Sequence, residues 1–97
     1  MNYLTACWRK TDSIVARKVA DEVILVPVRH NVADLTAIYT LNEIAARIWE
    51  LIDGTRTGNI IYTILVNEFE ATPEQVEADL TTYLTQLESI QAIKAVE

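Results

Sequence analysis

Leu35-Thr36-Ala37-Ile38-Tyr39-Thr40-Leu41-Asn42-Glu43-Ile44-Ala45-Ala46-Arg47-Ile48-Trp49-Glu50-Leu51-Ile52-Asp53-Gly54 is the stretch in which the chain changes its period. Up to Thr40 the residues suit a short strand, because Thr, Ile and Tyr fit a pleated surface. From there on Leu41, Ile44, Ala45, Ile48, Leu51 and Ile52 recur at threes and fours, which places them on one face of a helix over 42–53. Two caps compete for its start. Thr40 with Glu43 three residues on has the capping-box form, and Asn42 is a second candidate. Asp53 and Gly54 end the helix, the glycine where a left-handed C-terminal residue is wanted.

Toward the N-terminus the signals are those of strands. Ile14 to Val19 mixes β-branched and basic residues, Ala20-Asp21 supplies a break, and Glu22 to Val28 is a β-branched run. The two pair most simply as an antiparallel hairpin, with Leu35–Thr40 as a third strand at the sheet edge. Tyr3 to Trp8 is also compatible with extended chain, but no turn signal fixes its partner. Toward the C-terminus the pattern is helical. Thr57 caps a second helix with Ile60, Ile61, Ile64, Leu65 and Phe69 as its buried face, and Thr72-Pro73-Glu74-Gln75 opens a third, with Gln75 expected to reach back to the cap. The stripe of the third helix is Val76, Leu80, Tyr83, Leu84, Leu87 and Ile90; an extended tail, Ala92 to Val96, follows.

Three strands followed by three helices with short connections predict an α+β domain of winged-helix kind, with a three-stranded antiparallel sheet. Ninety-seven residues make one domain, 1–97, and too little chain for two cores. Hydrophobic residues at 51% with only 2 Gly and 2 Pro exclude a disordered or collagenous chain. The longest apolar run, Val23 to Val28, is far short of the roughly 20 residues a membrane span requires. Met1 to Lys10 lacks the basic start and apolar core of a signal peptide, so a cytoplasmic location is expected. The lone Cys7 forms no intramolecular disulfide, consistent with a reducing compartment.

Net charge is −6 and unevenly spread. Residues 1–30 carry five basic and three acidic side chains, whereas residues 31–97 carry three basic and eleven acidic ones. That balance disfavours nucleic acid, whose binding draws on Lys and Arg neutralising phosphates. The would-be recognition helix has Glu74, Glu77, Asp79 and Glu88 and no Lys or Arg. A winged-helix DNA-binding regulator is still an alternative, but only Arg17, Lys18 and Arg29 are placed to form its wing. A structural homo-oligomer subunit is another, and a homodimer stays open.

The catalytic inventory is thin. His30 in a loop and Cys7 near the N-terminus share no known motif, and read as a surface histidine and a half-buried thiol. No CxxC, HxxxH, EF-hand or Gly-rich phosphate loop is present, and Glu68 and Glu70 point to different sides of a helix end. No catalytic residue, metal or cofactor is expected. What the pattern does supply is an exposed strand edge, which a guest peptide can extend by backbone hydrogen bonds. Leu35, Thr36, Ala37, Ile38, Tyr39 and Thr40 form that edge. Val76, Leu80, Tyr83 and Leu87 would wall a groove beside it, with Glu77 and Asp79 as its acidic rim; ordinary core packing is the competing reading of Tyr83 and the aliphatic residues.

Tyr39-Thr40-Leu41-Asn42, then Ile48-Trp49-Glu50-Leu51-Ile52-Asp53-Gly54 and Thr57, resembles the signature of the PqqD-like family, coenzyme PQQ synthesis protein D and related recognition elements for ribosomally made, post-translationally modified peptides. The likeness continues through Glu68-Phe69, Val76, Asp79-Leu80, Leu84 and Leu87, and back to Arg17, Glu22 and Leu25-Val26-Pro27, covering about 14–90. Leu41-Asn42 and Trp49 are closer to the generic branch than to the dedicated PQQ proteins. Ser89-Ile90-Gln91 stands where the family usually has a glycine. The resemblance implies a non-catalytic peptide chaperone that binds a precursor's leader as an antiparallel strand on Leu35–Thr40, packed on the helix from Val76 to Leu87. It implies a modifying enzyme as second partner, a radical SAM maturase or a leader peptidase, as in PQQ biosynthesis or lasso-peptide systems. Asn42, Trp49, Asp53 and Gly54 are read as structural, with Trp49 locking the first helix against the sheet and Asn42 capping that helix or fixing the end of the docking strand.

Overall fold

Two separate strand assemblies frame three helices in the computed structural model, which describes residues 3–20, 22–27 and 39–96. Chain order is β1 (Trp8–Lys10), β2 (Ile14–Val19), β3 (Glu22–Pro27), β4 (Tyr39–Leu41), α1 (Glu43–Leu51), α2 (Gly58–Glu68), α3 (Pro73–Ser89) and β5 (Ile93–Ala95). The expected α+β architecture is present: β2, β3 and β4 make an antiparallel sheet in that order, and the helices follow. A second sheet, antiparallel β1 with β5, joins the two ends of the chain.

The hairpin pairs Ile14 with Pro27 through to Val19 with Glu22, and Ala20 takes a left-handed φ of 56° at its tight turn. On the other side of β3, Val23 faces Leu41 and Leu25 faces Tyr39. Leu41, expected at the head of a helix, is instead the last residue of β4 and is buried. Asn42 therefore wins the capping competition, its Oδ1 accepting the Ala45 N–H at 2.9 Å. Helix α1 stops at Leu51, two residues before the expected end, because Asp53 withdraws from the helix. Its Oδ1 accepts the Thr55 and Arg56 backbone N–H groups while Gly54 turns at φ 88°.

The other helices start as their sequences dictate, with Thr57 and Thr72 accepting from the N–H groups three residues on. Two details differ. Gln75 does not reach back to its cap but donates to Asp79 one turn ahead at 3.0 Å. Ile60 is 46% exposed, while Ile61 and Leu65 carry the packing of α2. The cause lies in the N-terminal segment, which presses on the first turn of α2. Gly58 and Asn59 donate their backbone N–H groups to Ala6 and Leu4 at 3.1 and 2.7 Å, so main-chain carbonyls complete the helix start. A Cβ on Gly58 would stand 2.3 Å from the Tyr3 carbonyl oxygen and 2.7 Å from Leu4 Cα, so only glycine permits this approach.

That segment exists to seat Trp8. The indole is wholly buried, donates Nε1–H to the Tyr3 carbonyl at 3.0 Å and stacks on the Tyr3 ring at 5.4 Å between centroids. The Tyr3 hydroxyl donates to Glu88 at 2.7 Å, and this bond with the ionised carboxylate raises the phenol's pKa. Around Trp8 the core continues through Ile48, Ile52, Ile61, Leu65, Val76, Leu80, Leu84 and Ile93. Trp49, expected against the three-stranded sheet, is buried with the Lys10 ammonium 4.9 Å from its ring centroid, so its face meets the terminal ribbon. Partial burial lowers the pKa of Lys10.

The end of α3 closes without a glycine. Ala92 N–H bonds to Leu87 O and Gln91 N–H to Glu88 O, a Schellman closure that requires a left-handed residue at Gln91, whose φ is 64°. Ala92 and Leu87 are both buried beneath it, and the chain leaves in the direction that pairs β5 with β1.

Two stability measurements check this account. Gln91→Gly relieves the left-handed strain and should raise unfolding free energy by about 0.5–1 kcal/mol in urea. Gly58→Ala forces Tyr3 and Leu4 off α2 and should lower it by about 1–3 kcal/mol.

Candidate functional site

Among the described residues no strand pairs with the outer side of β4, so its remaining backbone N–H and C=O groups line an open sheet edge. Side chains alternate as a strand requires. Tyr39 is half-buried, Thr40 exposed and Leu41 buried, so the polar residue points away from the core. Leu35, Thr36, Ala37 and Ile38, the remainder of the expected docking edge, lie outside the described residues, as do Val28, Arg29 and His30.

The edge is tied to α3 by one side chain. While Asn42 caps α1 through Oδ1, its Nδ2 donates to the Tyr83 hydroxyl at 2.7 Å. Asn42 therefore caps α1 and at the same time joins the end of β4 to α3. Tyr83 is half-buried, and Asp79, one turn earlier on the same flank, is half-buried and held by Gln75.

The remaining groove residues fall elsewhere. Val76, Leu80 and Leu87 are buried with Leu84 in the core, so they seat α3 instead of walling an open groove. Glu77 is exposed on the helix face shared with Glu74, Ala78, Thr81 and Thr82, roughly 120° around the axis from Tyr83 at 3.6 residues per turn. Helical spacing separates the two acids that the sequence reading grouped together, and only Asp79 shares the flank that Asn42 touches.

Past Leu41 the edge opens into a cleft of about 1000 Å³ that the sequence reading missed. Val23, Leu41, Ala46 and Phe69 supply apolar surface, and Lys18, Glu22, Glu43, Glu50, Arg47, Glu68 and Glu70 supply charge. Arg47 spans it with a two-pronged contact, Nε to one oxygen of Glu68 and an Nη to the other, both at 2.8 Å, and a third nitrogen reaches Glu50 at 3.5 Å. This clamps α1 to the end of α2. The guanidinium holds the Glu68 carboxyl below its ordinary range, and the carboxylates raise Arg47 in turn. Across the molecule Asp53 is likewise lowered, first by the Thr55 N–H, with Arg56 contributing through an ion pair at 2.9 Å. No signal in the linear sequence joins Arg47 to a residue 21 positions away.

The Cys7 thiol donates to the Gly54 carbonyl at 3.2 Å, and no group of three His, Cys, Asp or Glu side chains among the described residues is placed to hold a metal ion. Nor is any described helix long and apolar enough to cross a membrane.

A family-wide sequence pattern, Coenzyme PQQ synthesis protein D (PqqD), matches residues 22–93, from the first residue of β3 to the first of β5. The chain belongs to the PqqD family. No curated protein matches it. Two solved structures share its fold. TbiB1 in complex with the TbiA(beta) leader peptide aligns over 92% of this PqqD-family chain and 98% of its own, at 21% identity and a TM-score of 0.72. Lasso peptide synthetase B1 complexed with the leader peptide aligns over 92% and 99%, at 18% identity and a TM-score of 0.73.

The Arg47–Glu68 clamp makes a pH prediction. A carboxyl whose folded pKa is depressed stabilises above its unfolded value and loses that contribution as pH falls through the folded value. Glu68→Gln should therefore be less stable than the parent at neutral pH, with the gap closing as pH falls below about 4, the ordinary carboxyl range. Thermal melts from about pH 3 to about pH 7 read it; a gap that does not narrow toward the acid end is inconsistent with the clamp.

Proposed function

We propose that this chain is a non-catalytic adaptor that binds the leader of a ribosomally made precursor peptide and presents it to a modifying enzyme, a radical SAM maturase or a leader peptidase. The observation that carries the reading is the open edge of β4, held at a fixed distance from α3 by the Asn42–Tyr83 hydrogen bond. Membership of the PqqD family supports it, as do two proteins of the same fold whose structures contain leader peptides.

In this reading the leader adds as an antiparallel strand along Leu35–Thr40. Backbone hydrogen bonds supply affinity, and they need no particular leader side chain. Selectivity comes from what stands beside the edge: the Tyr83 ring, the Asp79 carboxylate and the exposed Thr40. Asn42 closes one end, because its side chain fills the space between the strand and α3. A leader running antiparallel to β4 has its upstream residues at that end, next to the cleft spanned by Arg47.

Isothermal titration against the leader encoded beside this gene tests the proposal. Binding is expected, and substitutions within Leu35–Thr40 should abolish maturation. Tyr83→Phe removes only the oxygen that Asn42 donates to; leader affinity should fall about 2- to 10-fold, as for one hydrogen bond of roughly 0.5–1.5 kcal/mol. No binding, together with unchanged maturation in the strand variants, refutes the assignment.

A further inference from the structure

The cleft beside Leu41 carries more charge of one sign than folding uses. Its floor is apolar, from Val23, Leu41, Ala46 and the half-buried Phe69. Glu22, Glu43, Glu50, Glu68 and Glu70 stand around that floor against Lys18 and Arg47, five carboxylates to two cations. Arg47 is already engaged, with Glu68 at 2.8 Å and Glu50 at 3.5 Å. Glu43 lies in the first turn of α1, where the helix dipole favours an acid. Glu22 and Glu70 are exposed, and their carboxylates take part in none of the ion pairs among the described residues. Nor are three of these acids grouped to hold a metal ion.

We infer that this cleft seats the residues of the leader just upstream of its docking strand, and that these combine Lys or Arg with an apolar side chain. The inference rests on the leader reading above and adds the chemistry of the segment recognised. Thr40 and Leu41 end the open strand and also line the cleft, so a peptide paired antiparallel with β4 directs its N-terminal end into it. Charge selects the occupant. An acidic segment would meet a surplus of carboxylates and could reach Arg47 only by displacing its two-pronged contact with Glu68. A basic side chain lays its methylene stem on the apolar floor and its head among the carboxylates of the rim. Backbone pairing on β4 accepts almost any sequence, and the cleft adds a charge requirement that the edge lacks.

The test titrates the full chain with the leader encoded beside this gene in three synthetic forms: intact, with every Lys and Arg upstream of the β4-pairing segment replaced by Gln, and cut back to that segment. At low ionic strength the intact leader should bind at least about fivefold more tightly than either altered form, as for a few exposed ion pairs. That advantage should shrink at about 1 M salt, where the screening length is about 3 Å. The double variant Glu22→Gln with Glu70→Gln should weaken the intact leader about 2- to 10-fold while leaving the cut leader and Tm unchanged. A synthetic Lys-Leu-Lys-Leu-Lys peptide, added without leader, should shift the Leu41, Ala46 and Phe69 amides in NMR spectra, and Glu-Leu-Glu-Leu-Glu should not. Equal binding of the intact and cut leaders, a leader with no upstream Lys or Arg, or a double variant that binds as the parent does overturns the inference and leaves strand addition on β4 standing. Equal shifts from the two pentapeptides overturn it as well. If no form of the leader binds, the leader reading itself fails and this inference falls with it.

Discussion

Asn42 is the constraint on which the site depends. It stands where β4 becomes α1, and its two side-chain atoms hold different parts of the molecule: Oδ1 closes the first turn of α1, and Nδ2 grips Tyr83 on α3. A strand edge by itself is a liability that proteins blunt or cover. Here the edge is given a rigid neighbour, because the residue that ends the strand also sets its spacing from a long helix. An aspartate would also cap, and it would meet Tyr83 by accepting from the hydroxyl to which the asparagine amide donates.

The second organising feature is the ribbon made from the two ends of the chain. Trp8 fills the space among the helices, Gly58 lets the preceding backbone lie against α2, and the Schellman closure at Gln91 turns the tail toward β1. These three depend on one another. The sheet that offers a free edge is thereby relieved of holding the helices together, since α2 and α3 are packed by Trp8 and by their own stripes. The open edge and the anchoring of the helices therefore lie on separate backbone.

Much of this was legible in the linear chain. The hairpin from Ile14, the helix after Asn42, the caps at Thr57 and Thr72 and the core stripe of α3 follow from periodicity and capping chemistry, which act over a few residues. What was read wrongly has one common cause. The spacing of Leu41 from Ile44 and Ala45 fits a helix, though pairing with the strand of Val23 claims it for the sheet. Ile60 fits the apolar face of α2 beside Ile61, Ile64 and Leu65, though the approach of residues 3–6 to Gly58 sets which side of α2 is packed. Glu77 and Asp79 are near in sequence, though two helical positions put them on opposite flanks.

By itself, the sequence determined the fold class, the order of β2 to β4 and the three helices, the caps of α2 and α3 and the family pattern, because each is a local regularity or an ordered set of them. Only the tertiary structure decided that Trp8 anchors the core, that Arg47 clamps Glu68, that Asn42 reaches Tyr83 and that Arg9 confronts Lys94. Those pairings join residues between 21 and 85 positions apart. No propensity or spacing rule reaches that far, since such contacts are fixed by how whole elements pack once their local shapes are made.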